Sequence, residues 1–284
     1  MSRIVFVNGS FVPYEEARIP IMDRGFLFGD GIYEVSAVLG GKLIDNEAHL
    51  ARLERSLGEI QIRNPYPAEK WIELEKEIVR RNGLQEGLVY MQVTRGVAER
   101  DFAFPKDVEP TVVMFTQEKN MRAAPAAQKG AAVITVPDLR WKRRDIKSVA
   151  LLAQVLAKQA AAEAGVAEAW MVEDGKVTEG GSSTSFIITR DGTIVTRQLS
   201  TALLPGITRK TVIRLAQEAQ LRVEERAFSV EEALDAQEAF LTSATSLVLP
   251  VVSIDGKPVG DGKVGPMVRR LRELYLDMAD ATPA

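Results

Sequence analysis

The chain contains no cysteine, and that one absence excludes disulfide staples, thiolate catalysis and cysteine-ligated zinc together. It has a single histidine, His49, so a histidine-based metal cluster is excluded as well. No apolar run approaches the roughly 18–20 residues needed to cross a bilayer. The opening stretch is broken at Asn8-Gly9 and is too short for a secretory signal. A cytoplasmic location is therefore expected, and the sequon-like Asn8-Gly9-Ser10 is a chance match. A formal net charge of -3 gives no electrostatic reason to expect nucleic acid or an anionic membrane as a partner. What is present is ordinary globular material, 46% hydrophobic and 26% charged over 284 residues, enough to build two medium domains.

Tight turns punctuate the first 60 residues. Asn8-Gly9 separates Ile4–Val7 from Phe11–Pro13, and Gly40-Gly41 separates Ile32–Leu39 from Lys42–Ile44, the pattern of two hairpins. A helix capped by Asn46 is expected to run to about Ile60, and a second from Pro67 to Asn82, stopped by Gly83. Strands follow at Leu88–Thr94 and Val112–Thr116, joined by a loop over 95–105 whose charges, phenylalanines and proline suit a binding surface. The aperiodic stretch 119–130 reads as a linker between an N-terminal domain, 1–118, and a C-terminal one, 131–284. Beyond it come a strand at Ala132–Val136, a helix over 148–164, a strand at Glu168–Val172, a hairpin across Asp191-Gly192 and a helix after Pro205-Gly206. Three more strands and a final helix over 264–278 complete the chain. No βαβ rhythm is evident, so the class is α+β.

Lys147 closes the cationic run Arg140-Trp141-Lys142-Arg143-Arg144-Asp145-Ile146-Lys147, directly before the Ala/Leu-rich segment. A lysine at such a boundary ordinarily snorkels. Here the apolar residues that follow draw it inward, and a desolvated lysine among cations becomes a nucleophile toward carbonyls. Downstream, Thr178-Glu179-Gly180-Gly181-Ser182 sets a carboxylate at a strand end beside small residues, and Gly206-Ile207-Thr208 opens a helix suited to a phosphate. Ser243-Ala244-Thr245 adds a hydroxyl-rich turn. An aldehyde-reactive lysine, a carboxylate for a ring nitrogen and phosphate cradles are the parts that hold pyridoxal phosphate.

The order His49-Leu50-Ala51-Arg52, Asp145-Ile146-Lys147, Thr178-Glu179-Gly180 and Leu204-Pro205-Gly206-Ile207-Thr208 resembles the fold-type IV pyridoxal 5'-phosphate aminotransferases, from about residue 3 to 275. The resemblance implies a two-domain α+β enzyme, with a small N-terminal α/β domain and a larger, pseudo-barrel-like C-terminal one. It implies a homodimer with a shared active site, acting on an amino acid and a 2-oxo acid. Lys147 would carry the cofactor as a Schiff base and Glu179 would pair with its ring nitrogen. Arg52, Ser182, Ile207, Thr208 and Ser243 would complete the cofactor site, and Leu204 would pack on the ring. Gly29-Asp30-Gly31-Ile32-Tyr33 and Arg95…Arg100 are most similar to the D-amino acid branch, in which Tyr33 and a partner subunit's copy of Arg100 would bind the substrate carboxylate. Two departures stand out: Phe102 where that branch has a histidine, and Ala244 where the family has a threonine. A branched-chain L-amino acid or (R)-amine transaminase and an aminodeoxychorismate-lyase-like enzyme are the alternatives on the same fold.

Overall fold

In the computed structural model, which describes residues 2–283, Asn8 and Gly9 have φ of 46° and 94°. That pair of positive angles makes the two-residue turn that joins strand β1 (Ile4–Val7) to β2 (Ser10–Pro13), with Val7 opposite Ser10. The short helix α1 (Arg24–Phe28) follows, then β3 (Gly31–Leu39), β4 (Lys42–Ile44), helices α2 (Asn46–Glu59) and α3 (Ala68–Asn82), β5 (Glu86–Thr94) and β6 (Thr111–Glu118). The chain divides into two compact units. The first runs through Lys119 and takes in Ile146–Leu151 and the residues from Thr282; the second comprises Asn120–Asp145 and Leu152–Ala281.

The first unit is built on an antiparallel sheet in the order β2-β1-β6-β5-β3-β4. Leu50, Leu53 and Leu57 of α2 and Trp71, Leu74 and Ile78 of α3 recur at helical spacing and bury against Phe6, Val89 and Met91 of the sheet. Each such fully buried side chain contributes roughly 1.5–3 kcal/mol. Gly83, in the left-handed region at φ 59°, ends α3 as expected. Asn46 does not cap α2. Asp45 holds the flanking position without a side-chain cap, and Asn46 turns inward to Ser36 and Glu75.

The second unit begins with α4 (Pro125–Lys129), so the stretch expected as a linker carries a helix, and Ala127 packs into this unit's core. Its further elements are β7 (Ala131–Pro137), α5 (Leu152–Glu163), β8 (Glu168–Glu173), β9 (Lys176–Gly180), β10 (Thr184–Ile188), β11 (Ile194–Thr196), α6 (Ile207–Glu218), β12 (Val223–Glu225), α7 (Val230–Asp235), β13 (Glu238–Ser243), β14 (Leu247–Ile254), β15 (Lys257–Pro258) and α8 (Pro266–Ala281). The nine-stranded sheet runs β12-β11-β10-β13-β14-β7-β8-β9, with β15 on β14. β7 and β8 are parallel with α5 between them, a βαβ unit that the sequence pattern does not reveal. The helix expected over 148–164 starts only at Leu152, because Ser148 forms a bridge with Ile32 of β3. Among the described residues no helix is long and apolar enough to cross a membrane.

Candidate active site

Strand β4 covers only the Ala37–Leu39 end of β3 and leaves the edge near Gly31 open. The segment Ile146–Leu151 takes that edge. Tyr33 N donates to Lys147 O at 2.9 Å, and Val149 N donates to Gly31 O at 3.0 Å. This pairing, rather than a helix start, is what draws Lys147 inward: it is half-buried, and its Nζ lies 4.2 Å from the centre of the Tyr33 ring. Its amide donates to Ser56 Oγ on α2 at 3.5 Å. Tyr33 in turn stacks on Tyr90, and Tyr90 on Phe115, an aromatic ladder across β3, β5 and β6 that fixes the ring beside the lysine.

The residue after Tyr33 alternates to the opposite face. Glu34 is fully buried and receives Arg52 Nε at 2.7 Å on Oε1 and Nη2 at 2.8 Å on Oε2, with His49 Nδ1 also 2.8 Å from Oε2. Burial alone would raise the Glu34 carboxyl, but the Arg52 guanidinium outweighs it and holds the group well below the usual range. Arg52, expected at a phosphate, thus spends two of its nitrogens on a carboxylate that sequence reasoning missed. The signal was there in the strict alternation of β3, which turns Tyr33 and Glu34 to opposite faces. Arg100 is exposed on the 95–105 loop, its guanidinium 5.4 Å from the Phe28 ring and 5.5 Å from that of Phe102.

In the second unit Glu179 ends β9 almost fully buried, at 4% exposure. Its carboxylate accepts from Arg140 Nη1 and from the Leu204 amide, at 3.1 and 3.3 Å to its two oxygens. Leu204 was expected to offer its side chain; its backbone is what reaches Glu179. Arg140 Nη2 donates to Asp138 at 2.7 Å, and Thr178 Oγ1 lies 2.6 Å from the same Asp138 oxygen. Arg144 pairs with Glu173 at 2.7 and 2.8 Å. The cationic run is therefore divided: the Arg140 and Arg144 side chains are buried in ion pairs, and Trp141 and Lys142 are exposed. Burial pushes the Glu179 carboxyl upward while Arg140 and the Leu204 amide act against it. A carboxyl in that balance is suited to share a proton with a ring nitrogen.

The N-terminus of α6 fits a phosphate. Gly206 caps it without a side-chain hydrogen bond, and the first-turn amides of a helix have no partner within it. A Cβ on Gly206 would stand 2.8 Å from Thr184 Oγ1, so a larger residue there would have to displace that side chain. Thr242 pairs with Thr184 across β10 and β13, and its buried hydroxyl has no hydrogen-bond partner among the described residues. Thr208 is buried at the same helix start. The other two expected residues are otherwise engaged. Ser182 Oγ donates to Glu168 at 3.1 Å, and Ser243 Oγ accepts from Ser246 N at 3.0 Å.

The second unit thus holds a buried carboxylate bound to a guanidinium and an uncapped helix start, and the first holds a lysine beside a tyrosine ring. Residues 31–254 match the amino-transferase class IV family, and the chain belongs to it. The D-alanine aminotransferase of Staphylococcus aureus (strain MSSA476) is 41% identical over 270 residues, 95% of each chain. The branched-chain amino acid aminotransferase from a T.th. strain, solved with pyridoxamine 5'-phosphate, is 28% identical with a TM-score of 0.90, covering 98% of this chain and 94% of that one. The branched-chain amino acid aminotransferase of Escherichia coli has the same fold, with a TM-score of 0.91 at 22% identity over 98% of this chain and 95% of its own.

Proposed function

We propose that this aminotransferase uses pyridoxal phosphate to move an amino group between a D-amino acid, of the D-alanine or D-glutamate type, and a 2-oxo acid. The observation that carries the chemistry is the buried Glu179 carboxylate held by Arg140 and the Leu204 amide. The substrate class rests on the 41% identity, over nearly the full length, to a D-alanine aminotransferase. When bound, pyridoxal phosphate supplies an aldehyde for the amino group and a ring that takes up the electrons released at the substrate Cα.

The chain's own residues then have distinct tasks. Lys147 Nζ would hold the cofactor's aldehyde carbon and would move the proton at the substrate Cα. Glu179 holds a proton at the ring nitrogen. The Ile207 and Thr208 amides and the Thr208 hydroxyl would hold the phosphate. Tyr33 and Arg100 bind the substrate carboxylate, and its orientation decides which face of Cα meets Lys147. The working unit is a homodimer in which Arg100 serves the neighbouring copy. The exposed rings of Phe26 and Phe102, 76% and 78% accessible in the single chain, support it. One observation favours a second reading, a branched-chain or (R)-amine transaminase: Phe102 offers an apolar ring where the D-branch has a histidine.

The test is the first half-reaction, followed by the absorbance of bound cofactor, with D-alanine, L-leucine and (R)-1-phenylethylamine on the wild type and Arg100→Ala. D-alanine should convert the cofactor and L-leucine should not, and Arg100→Ala should raise the KM for D-alanine by about 10–100-fold, as expected for a charge-assisted contact. Preference for L-leucine, or D-alanine turnover indifferent to Arg100, overturns the D-amino acid assignment.

A further inference from the structure

Within the first unit the loop that carries Arg100 is fastened at each of its bends to the segment before β3. Arg24 N donates to Gly96 O at 2.9 Å, Asp23 bridges Val97, and Ala98 N donates to Met22 O at 3.3 Å. Gly96, at φ 103°, is required there, since a Cβ would fall 2.0 Å from Glu109 O. Past Arg100 the fastening passes to side chains. Arg24 Nη1 donates to Asp101 O at 2.5 Å and Nη2 to Phe102 O at 3.4 Å, while its Nε is held by Asp30 at 2.8 Å. Arg95 shares that carboxylate at 2.7 and 3.0 Å, donates to Ile60 O and Gln61 O, and lays its guanidinium 3.5 Å from the centre of the Phe104 ring.

Charge explains why the loop backbone is drawn in. Arg24 and Arg95 are 3% and 7% exposed, and both lean on the one carboxylate of Asp30. Two buried guanidinium groups are not neutralised by a single anion, so carbonyl oxygens must supply the remaining acceptors. For Arg24 those carbonyls belong to Asp101 and Phe102, the two residues that follow Arg100. The Phe102 ring, set this way 5.5 Å from that of Phe28, stands with it beside the Arg100 guanidinium, which lies 5.5 and 5.4 Å from the two ring centres.

We propose that Arg24 is the positioning residue of the carboxylate-recognition loop: through the carbonyls of Asp101 and Phe102 it sets where Arg100 stands, and Asp30 holds Arg24 in place. This rests on the reading of Arg100 as the ligand of the substrate carboxylate. Arg24 itself touches no substrate; it works through the backbone of its own chain.

A double-mutant cycle tests it. Steady-state KM and kcat for D-alanine with 2-oxoglutarate are measured for Arg24→Met and Arg24→Lys, each in the wild-type and in the Arg100→Ala background. Arg24→Met should raise the KM by about tenfold with kcat changed by less than about twofold, and Arg24→Lys should fall between it and wild type, because a lysine keeps the charge beside Asp30 but not the fork. In the Arg100→Ala background the same substitutions should add less than about twofold, since nothing is left to position. Arg24→Lys, which preserves the ion pair, carries the test if Arg24→Met does not fold. An equal factor in both backgrounds, or a loss of kcat without a change in KM, overturns the positioning role. An unchanged KM in Arg24→Lys and Arg24→Met while Arg100→Ala raises it overturns the positioning role alone. An unchanged KM in Arg100→Ala overturns the carboxylate reading, and the positioning role with it.

Discussion

Glu75→Gln should remove a pH-dependent loss of stability. Glu75 lies on α3 with no exposed surface; Oε2 accepts from Asn46 Nδ2 at 2.7 Å, and Oε1 has no hydrogen-bond partner among the described residues. Burial drives this carboxyl from the ordinary 4.5 up to about 8; the Asn46 amide opposes the rise, and the neighbouring Glu34 carboxylate adds to it. A group raised on folding contributes stability that is fully present below 4.5 and is lost as pH rises through about 8. Between those limits the folded state keeps a proton that the unfolded state has released, so the slope is about 1.4 kcal/mol per pH unit and the whole loss roughly 5 kcal/mol. Glutamine keeps the shape and cannot ionise. Urea unfolding at pH 5, 6, 7 and 8, at fixed salt and protein concentration, should show the variant gaining on wild type by about 4 kcal/mol across the series. All other titrating groups are common to both proteins and cancel in the difference. Glu34, held low by Arg52, contributes stability above the ordinary carboxylate range that is lost only as pH falls through its depressed value, outside this window. Parallel pH profiles for the two proteins refute the reasoning.

Three further outcomes are expected. Lys147→Ala should abolish borohydride fixation of the cofactor to the chain and slow turnover by at least about 10³-fold, since nucleophile and proton carrier are lost together; retained fixation shows that another lysine carries it. Glu179→Gln should keep the cofactor bound yet slow proton removal at Cα by about 10²-fold, and a rate equal to wild type assigns the ring nitrogen to another group. Gly206→Ala brings a methyl group to 2.8 Å from Thr184 Oγ1. It should weaken pyridoxal-phosphate binding to the apoprotein by about tenfold or more, the cost of overpacking a tight site; a dissociation constant equal to that of wild type removes the α6 N-terminus from the cofactor site.

What the sequence made legible follows the range of the forces involved. The Asn8-Gly9 turn, the Gly83 helix stop and the leucine spacing of α2 are local, set by one residue's φ or by a 3.6-residue period, and each stands where it was expected. The start of α5 was misjudged for the converse reason. Ser148–Leu151 is apolar enough for a helix, but it is held by backbone bonds to β3, more than 100 residues earlier, which outweigh a weak local propensity. The buried face of α5 is the alanine stripe and not the larger apolar side chains. Leu152, Val155 and Leu156 are 74%, 58% and 54% exposed, while Ala157 and Ala161 pack against Ala169 and Met171. Small side chains let a helix lie close on a sheet, and hydrophobicity alone does not rank that stripe above the leucines.

The site divides along the same line. Lys147, Glu179 and the Gly206 helix start stood out because each sits in a short run of unusual residue types. Glu34, Asp138, Asp30 and Arg24 did not, because each works by pairing with a residue distant in sequence or by closing a bend of the backbone. Arg140 and Glu179 are 39 residues apart, and Arg24 and Asp101 are 77. A buried charge is tolerated only when its partners are in place, so these buried charges each have a second one behind them. Arg140 stands behind Glu179, Glu34 behind Arg52, and Asp30 behind Arg24. Motifs record the residues that touch ligands; the paired charges behind them are fixed by the fold, and substitutions there should move affinity and proton balance before they abolish the reaction.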